Sequence, residues 1–231
     1  MTPSAAHLSV VLSDIAAALF DLDGTLISTL QVTEQIYTRH ALQHSVDPQP
    51  VIHFCHGVPT LQVLEQFFPP ALHTPEYAAQ LEREAADQLT GLELIPGARE
   101  LLASIPLDRW AIYTSGMPFL ALPRMRHLGV RVPEVMLTPV DVARGKPMPD
   151  GYVMAAERLH VDPKRCVVFE DAVAGIRAGV AAGAVVVGVR TLLDAKQLKE
   201  AGATYTVRDM TCVSVTASPA DGSLTISLDE S

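Results

Sequence analysis

The sequence has little cysteine and little positive charge. Its three cysteines, Cys55, Cys166 and Cys212, are widely spaced and form no Cys-x-x-Cys pair. This spacing does not suit a disulfide framework, so we expect reduced thiols and a cytoplasmic protein. Lysine and arginine number 17 against 26 aspartates and glutamates, which gives a net charge of −9. A nucleic-acid-binding surface needs a basic face, so no nucleic-acid partner is expected.

Long apolar runs are also absent. None approaches the ~20 residues that span a bilayer, so no membrane partner is expected. The apolar N-terminal segment lacks a basic start and carries Asp14 where a signal sequence would be apolar, so we expect it to belong to the fold. The chain is 48% hydrophobic and 19% charged, which is typical of a folded protein with a substantial core. We expect a monomer or a weak homodimer.

The region between residues 28 and 96 differs from the rest of the chain. It carries three helical patterns separated by prolines and no strand of comparable quality, although residues 50–54 are ambiguous. Such an insertion is long for a loop. We therefore predict an all-helical cap at 28–96, and an α/β core formed by 1–27 and 97–231.

In the predicted core, apolar strands alternate with helices. The strands are predicted at Ile15–Phe20, Trp110–Tyr113, Val135–Thr138, Cys166–Phe169 and Val185–Val189. This alternation predicts a parallel, doubly wound α/β sheet. Near the end of the chain, two segments of alternating polarity, 212–216 and 224–228, flank turn-forming residues and predict a C-terminal antiparallel β-hairpin.

Two aspartates, Asp21 and Asp23, directly follow the first predicted strand. They are two residues apart, so both carboxylates point to the same side if the strand geometry continues. Paired acids at the carboxyl end of a buried strand are typical of a divalent cation site at the edge of an α/β sheet. The alternative is an Asp-Gly turn with solvated acids.

Three later segments of the predicted core carry groups that could bind a phosphate or a cation beside these aspartates. The segment Thr114-Ser115-Gly116 offers a hydroxyl and backbone amides for phosphate oxygens. Lys146, between a glycine and a proline just before a helix, provides a fixed positive charge, unless it is an exposed loop lysine. Glu170 and Asp171 would repel each other unless a cation compensates them, although Asp171 could instead lie near a helix N-cap.

Together these groups supply what hydrolysis of a phosphate monoester requires. Asp21 has a reference pKa of about 3.9, so it should be ionised at neutral pH and able to attack phosphorus. Asp23 could protonate the leaving alkoxide and then deprotonate water, while Lys146 and Ser115 hold the remaining oxygens. Mg²⁺ would offset the repulsion between carboxylate and phosphate. Its ligands are expected among Asp21, Asp23, Glu170 and Asp171.

These residues resemble the four motifs of the haloacid dehalogenase superfamily, and the resemblance covers nearly the whole chain. The motifs are Asp21-Leu22-Asp23-Gly24-Thr25, Thr114-Ser115-Gly116, Gly145-Lys146-Pro147 and Glu170-Asp171. Residues 167–176 are especially specific for the branch with a helical cap after the first motif. Residues 51–60 and the terminal hairpin are similar to glycerol-phosphate and 2-deoxyglucose-6-phosphate phosphatases.

The resemblance implies a Rossmann-like core, Mg²⁺ as cofactor, and an aspartyl-phosphate mechanism with Asp21 as nucleophile and Asp23 as acid and base. Dehalogenases, phosphonate hydrolases and related transport ATPases lack an aspartate at the position of Asp23, so those activities are not expected. The implied substrate is a small phosphate ester of a polyol or sugar. His56 is interpreted as part of a cap loop that closes over this substrate, or alternatively as a helix-entry turn.

Two other functions remain open. A sugar-phosphate mutase similar to β-phosphoglucomutase shares the core motifs and the cap topology. Its relatives usually have an acidic residue shortly after the first motif and an arginine in the cap loop, whereas this chain has Leu26-Ile27-Ser28-Thr29 and Pro59. Both departures favour hydrolysis. The alternative from another class is a non-catalytic protein that binds a phosphorylated metabolite.

Overall fold

A computed structural model describes residues 8–55 and 58–230. The chain divides into two compact units. One contains the residues up to Ile27, together with Leu94–Met117 and the chain from Val132 onward. The other consists of Ser28–Glu93 and Pro118–Arg131. In the described part of the chain, no helix combines the length and the apolar character needed to cross a membrane.

The described residues form eleven strands and nine α-helices. The strands are β1 (Leu8–Ile15), β2 (Ala17–Phe20), β3 (Ile27–Ser28), β4 (Glu93–Leu94), β5 (Trp110–Tyr113), β6 (Met136–Leu137), β7 (Cys166–Glu170), β8 (Val185–Val189), β9 (Tyr205–Val207), β10 (Val213–Ala217) and β11 (Leu224–Glu230). The helices are α1 (Leu30–Gln43), α2 (Pro48–Cys55), α3 (Thr60–Phe67), α4 (Pro75–Asp87), α5 (Ala98–Ser104), α6 (Pro118–His127), α7 (Asp150–Arg158), α8 (Val173–Ala181) and α9 (Ala195–Ala201).

The first unit contains a sheet of six described strands in the order β6-β5-β2-β7-β8-β9. Every neighbouring pair is parallel, which confirms the predicted α/β fold. The central strands β2, β5 and β7 are buried along their whole length, as expected when helices cover a parallel sheet. The Phe20 ring stacks on Phe169 at 4.9 Å and meets Trp110 edge-on at 6.3 Å. This packing fixes β2 between its two neighbours.

The first predicted strand, Ile15–Phe20, is wrong in extent. The central strand begins at Ala17, whereas Ile15 ends β1 and pairs with Leu224 of β11. The ladder register shifts between Leu12 and Ile15, and Asp14 lies there with φ 60°, as in a β-bulge that redirects the chain. One continuous apolar run therefore contributes residues to two different sheets.

The predicted C-terminal hairpin is present as β10 and β11, which pair in antiparallel register. β11 also pairs on its other side with β1, so the described strands form a three-stranded sheet, β1-β11-β10. The sequence analysis missed β1. It also missed α9 as a helix, although Asp194 and Gln197 form a capping box at its start.

The second unit is helical and consists of α1–α4 and α6. The ambiguous residues 50–54 lie within α2. His40 is buried, and its two ring nitrogens lie 2.7 Å from the Tyr77 hydroxyl and 2.8 Å from a Glu84 carboxylate oxygen. These contacts join α1 to α4 through one buried and two partly buried polar side chains. The predicted cap boundaries of 28–96 stay a prediction, because this unit also contains residues 118–131, which the sequence analysis assigned to the core.

Candidate active site

The candidate site lies where β2, β5 and β7 of the central sheet end. The Asp21 N–H donates to Phe169 O at 3.0 Å, which extends the β2–β7 pairing by one residue and places Asp21 beside Glu170. The Thr114 N–H donates to Leu137 O at 3.1 Å and fixes the end of β5 in the same way. Parallel strands present their carboxyl ends at one edge, so residues far apart in sequence meet there.

Lys146 joins two of these strand ends. Its Nζ donates to Asp21 Oδ1 at 2.5 Å and to Glu170 Oε1 at 2.6 Å, and its side chain is only 5% exposed. Two tyrosine rings flank the ammonium group, with centroids 5.0 Å away for Tyr113 and 5.4 Å away for Tyr152. Both contacts are within cation–π range. Lys146 is therefore a buried charge held by two carboxylates and two aromatic faces, rather than an exposed loop lysine.

The Glu170 carboxylate accepts four hydrogen bonds. Oε1 accepts from Lys146 and, at 3.0 Å, from the Tyr152 hydroxyl. Oε2 accepts from the backbone N–H groups of Asp171 and Ala172, both at 3.1 Å. The N-cap of α8 is Ala172, so Asp171 lies next to the cap, as the alternative stated, while its carboxylate contacts Thr25 and Thr191. Glu170, whose side chain is 1% exposed, occupies the start of this helix instead.

Helix α8 can approach Glu170 because residue 175 is glycine. A Cβ at Gly175 would lie 1.6 Å from Glu170 Oε1, so any side chain there would displace the carboxylate. Gly151, in the first turn of α7, has a similar function, since a Cβ there would lie 2.2 Å from the Tyr113 ring. Both glycines are required by close approach rather than by backbone conformation.

Asp171 lies against the turn that follows Asp21. Its Oδ1 accepts from the Thr25 hydroxyl at 3.3 Å, and its Oδ2 accepts from the Thr191 hydroxyl at 3.4 Å. Gly24 has φ 92°, and a Cβ there would lie 2.0 Å from Asp171 Oδ2. This turn therefore needs glycine both for its backbone conformation and for its contact with Asp171.

Burial changes the acidity of three groups in the site. It raises the pKa of Asp21 well above its ordinary value, against the opposing charge of Lys146. It also raises the pKa of Asp171 to about 8, with help from the Glu170 charge. Burial alone would lower the pKa of Lys146, but Asp21 and Glu170 outweigh it and hold that pKa above its ordinary value. The pKa of Asp21 therefore departs from the reference value expected from the sequence, because burial raises it more than Lys146 lowers it.

The acids fit a divalent cation. Oxygen atoms of Asp21, Glu170 and Asp171 lie within 4.8 Å of one another, and all three residues are buried. Carboxylate oxygens are the ligands that Mg²⁺ prefers. A cation among them would favour their ionised forms and compensate the negative charge that Lys146 alone leaves unbalanced.

The Asp23 carboxylate lies apart from this cluster, and its predicted role as a metal ligand stays a prediction. Among the described residues, the acidic cluster does not include the Asp23 carboxylate. β2 ends at Phe20, and Leu22 O accepts from the N–H groups of Leu26 and Ile27, so the chain turns and the two-residue alternation stops. Asp23 Oδ2 instead lies 3.2 Å from the point where a Gly116 Cβ would be. Its carboxylate therefore borders the Thr114-Ser115-Gly116 segment.

The remaining predicted residues are placed as follows. The Thr114 hydroxyl is buried and accepts from the Gly116 N–H at 2.9 Å, so it shapes the turn after β5. Ser115 is exposed at this turn. His56 lies outside the described residues.

The sequence analysis missed three residues that contact this cluster, namely Tyr113, Tyr152 and Thr191. Tyr113 and Thr191 stand at or just after the ends of β5 and β8, so the same strand-end rule could have identified them. Tyr152 follows Lys146 by six residues on the first turn of α7, and its contact with Glu170 has no local sequence signal.

Comparison with known proteins identifies the family. A family model for haloacid dehalogenase-like hydrolases matches residues 15–183. The chain is 39% identical over 225 residues to 2-deoxyglucose-6-phosphate phosphatase 2 of Saccharomyces cerevisiae, which covers 88% of this chain and 92% of that protein. It is 35% identical over 207 residues to glycerol-1-phosphate phosphohydrolase 2 of the same yeast, which covers 84% of this chain and 82% of that protein.

A solved structure gives the same result. A HAD family hydrolase from Deinococcus radiodurans R1, with bound phosphate and sodium, has a TM-score of 0.71 and 30% sequence identity over 86% of this chain and 93% of that chain. The resemblance drawn from the four motifs is confirmed. This chain belongs to the haloacid dehalogenase-like hydrolase family.

Proposed function

We propose that the chain is a Mg²⁺-dependent phosphatase that hydrolyses small phosphorylated polyols or sugars through an aspartyl phosphate on Asp21. The observation that carries this proposal is the pair of hydrogen bonds from Lys146 to Asp21 and Glu170, at 2.5 and 2.6 Å. They put a nucleophile, a fixed positive charge and an acidic cluster within reach of one phosphate group. The two yeast relatives support small sugar or polyol phosphates as the substrate class.

In the proposed reaction, the carboxylate of Asp21 attacks phosphorus. Lys146 engages Oδ1, so the attacking atom is Oδ2. The bond between phosphorus and the alcohol oxygen breaks as the bond to Asp21 forms, and Asp23 donates a proton to the departing oxygen. Asp23 then takes a proton from water, whose oxygen attacks phosphorus and displaces Asp21. The products are the free alcohol and inorganic phosphate.

The other groups bind the phosphate oxygens. Mg²⁺, held among Asp21, Glu170 and Asp171, would offset the repulsion between these carboxylates and the substrate phosphate. Lys146 contributes a fixed positive charge, and the rings of Tyr113 and Tyr152 flank its ammonium group. The Thr114-Ser115-Gly116 turn contributes the Ser115 hydroxyl and backbone amides.

We further propose that the helical region 28–96 is the cap, that His56 contacts substrate, and that the enzyme is a cytoplasmic monomer or weak homodimer. Cys55, Cys166 and Cys212 are all free, which supports a reducing compartment. Mass measurement in solution and substitution of His56 test the oligomeric state and the substrate contact separately.

A phosphate-release screen over small phosphoesters tests the proposed function. Wild-type protein with Mg²⁺ should release phosphate from at least one polyol or sugar phosphate, and Asp21→Asn should lose this activity. Asp108→Asn makes the same chemical change at a side chain that is 74% exposed, and should behave as wild type. Equal activity of Asp21→Asn and wild type would overturn the mechanism. Isomerisation of a hexose phosphate without net phosphate release would indicate a mutase, and binding without turnover would indicate a binding protein.

A further inference from the structure

Thr191 brings a fourth strand end, that of β8, to the candidate site. It follows β8 by two residues, and its N–H donates to Val189 O at 2.9 Å. The N–H of Arg190 donates to Val207 O of β9 at 2.9 Å, so the backbone on this side of the site is held by the sheet. The Thr191 hydroxyl is therefore presented from a rigid position.

The hydroxyl contacts two parts of the site. It donates to Gly24 O at 2.7 Å and lies 3.4 Å from Asp171 Oδ2. A hydroxyl has one proton, and the shorter bond is the stronger, so the proton goes mainly to the Gly24 carbonyl. The hydroxyl therefore holds the Gly24 turn directly, and it acts on Asp171 mainly through that turn, because its own contact with Oδ2 is at the long end of hydrogen-bond range.

Asp171 cannot move independently of the Gly24 turn. Its Oδ2 occupies the place that a Gly24 side chain would fill, and its Oδ1 accepts from the Thr25 hydroxyl at 3.3 Å. The turn follows Asp21 by only three residues. A shift of the turn relative to β8 would therefore change the spacing between the Asp21 and Asp171 carboxylates.

We propose that Thr191 is a positioning residue that fixes the Gly24 turn and the Asp171 carboxylate, and thereby sets the affinity of the acidic cluster for a divalent cation. This inference rests on the part of the proposed function that assigns Asp171 to the cation. Residues that orient metal ligands commonly change metal affinity by about 10–100-fold when they are removed. The hydroxyl of Thr191 acts from outside the ligand set, through Gly24 and Asp171.

The experiment is calorimetric titration of MgCl₂ into chelator-treated protein without substrate, with Thr191→Val as the main variant. Thr191→Val keeps the shape and removes the hydroxyl, and should raise the Mg²⁺ Kd by at least tenfold. Thr191→Ser should keep a Kd within about threefold of wild type, and Thr191→Ala should match Thr191→Val. If the valine variant does not fold, the serine and alanine variants decide the question. Thr216→Val, at an exposed site on β10, is the matched control and should not change the Kd.

A second readout separates positioning from general structural support. Mg²⁺ stabilises the folded state by an amount that grows with the logarithm of its affinity, so the rise in melting temperature on adding Mg²⁺ should be smaller for Thr191→Val than for wild type. An unchanged Kd in Thr191→Val and Thr191→Ala would overturn the inference, as would a wild-type protein that binds no Mg²⁺. Failure of the proposed function alone would appear differently, as Mg²⁺ binding without phosphate release.

Discussion

Replacement of Gly175 by alanine adds one methyl group beside Glu170. An alanine Cβ would lie 1.6 Å from Glu170 Oε1, whereas real contacts of this kind stay above 3.0 Å. The carboxylate must therefore move by at least about 1.4 Å, the difference between these two distances, or α8 must move away from β7. A shift of that size, taken directly away from Lys146, would lengthen the 2.6 Å contact to about 4.0 Å, which is no longer a hydrogen bond.

Gly175→Ala is expected mainly to reduce catalytic activity. Misplacement of a catalytic group by about 1 Å can cost roughly 100-fold in rate, which corresponds to about 2.7 kcal/mol of transition-state stabilisation. Overpacking should cost about 1–3 kcal/mol of folding free energy, partly offset by about 1 kcal/mol from the better helix propensity of alanine. Gly175→Ala should therefore fold and lose about 100-fold in kcat/KM.

Gly179 provides the matched control on the same helix. A Cβ at Gly179 would lie 2.9 Å from Val186 Cγ2 and 3.1 Å from Val168 Cγ1, so it meets apolar side chains instead of the site. Gly179→Ala should change stability less than Gly175→Ala, because its contacts are longer, and it should keep its activity.

The assay is phosphate release under saturating Mg²⁺, combined with urea unfolding of both variants. The reasoning would be refuted if Gly175→Ala retained kcat/KM within threefold of wild type. It would also be refuted if Gly179→Ala lost as much activity as Gly175→Ala.

Three further perturbations test other parts of the structure. Tyr152→Phe keeps the ring and removes the hydroxyl that donates to Glu170 at 3.0 Å. The variant should fold as wild type does, and its kcat/KM should fall about tenfold. Equal kcat/KM in the variant and in wild type would show that this hydrogen bond does not position Glu170. Chelation of divalent cations should abolish phosphate release and Mg²⁺ should restore it, whereas activity that survives chelation would remove the acidic cluster from the reaction. Glu84→Gln in the helical unit should lower the free energy of unfolding by about 1 kcal/mol at pH 7. Burial acts to raise the pKa of Glu84, but hydrogen bonds from His40 and Gln80 outweigh it and lower the pKa. This stabilisation is present above the ordinary pKa of glutamate and is lost as the pH falls through the lowered one. The difference in unfolding free energy between wild type and variant should therefore shrink as the pH is lowered through this range, and a difference that does not change with pH would contradict this.

The strand order around the site depended on long-range pairing. Ile15 and Ala17 stand two residues apart in one apolar run, yet the first belongs to a strand that pairs with β11 and the second to a strand that pairs with β5 and β7. Only Ala16 separates the two strands, and the bulge at Asp14 lies just before it, within β1. Periodicity records only that these residues are buried, because the choice of partner depends on hydrogen bonds to strands that come much later in the chain, as in the pairs Ile15–Leu224, Ala18–Trp110 and Ala17–Cys166.

The position of Asp23 shows a similar limit of prediction from local sequence patterns. Alternation places it beside Asp21 only while the strand continues, and β2 ends before Asp21. The tight turn that follows sends its carboxylate toward Gly116 instead of into the acidic cluster.

The sequence by itself determined the kind of fold and the edge at which chemistry occurs. Buried apolar strands that alternate with helices must form a parallel sheet, and its strand ends share one edge, so Asp21 and Glu170 were expected to meet there. Only the tertiary structure decided the surroundings of these groups. The two tyrosines around Lys146 and the hydroxyl of Thr191 reach the cluster through packing across separate elements, and such contacts depend on distances that no local pattern records.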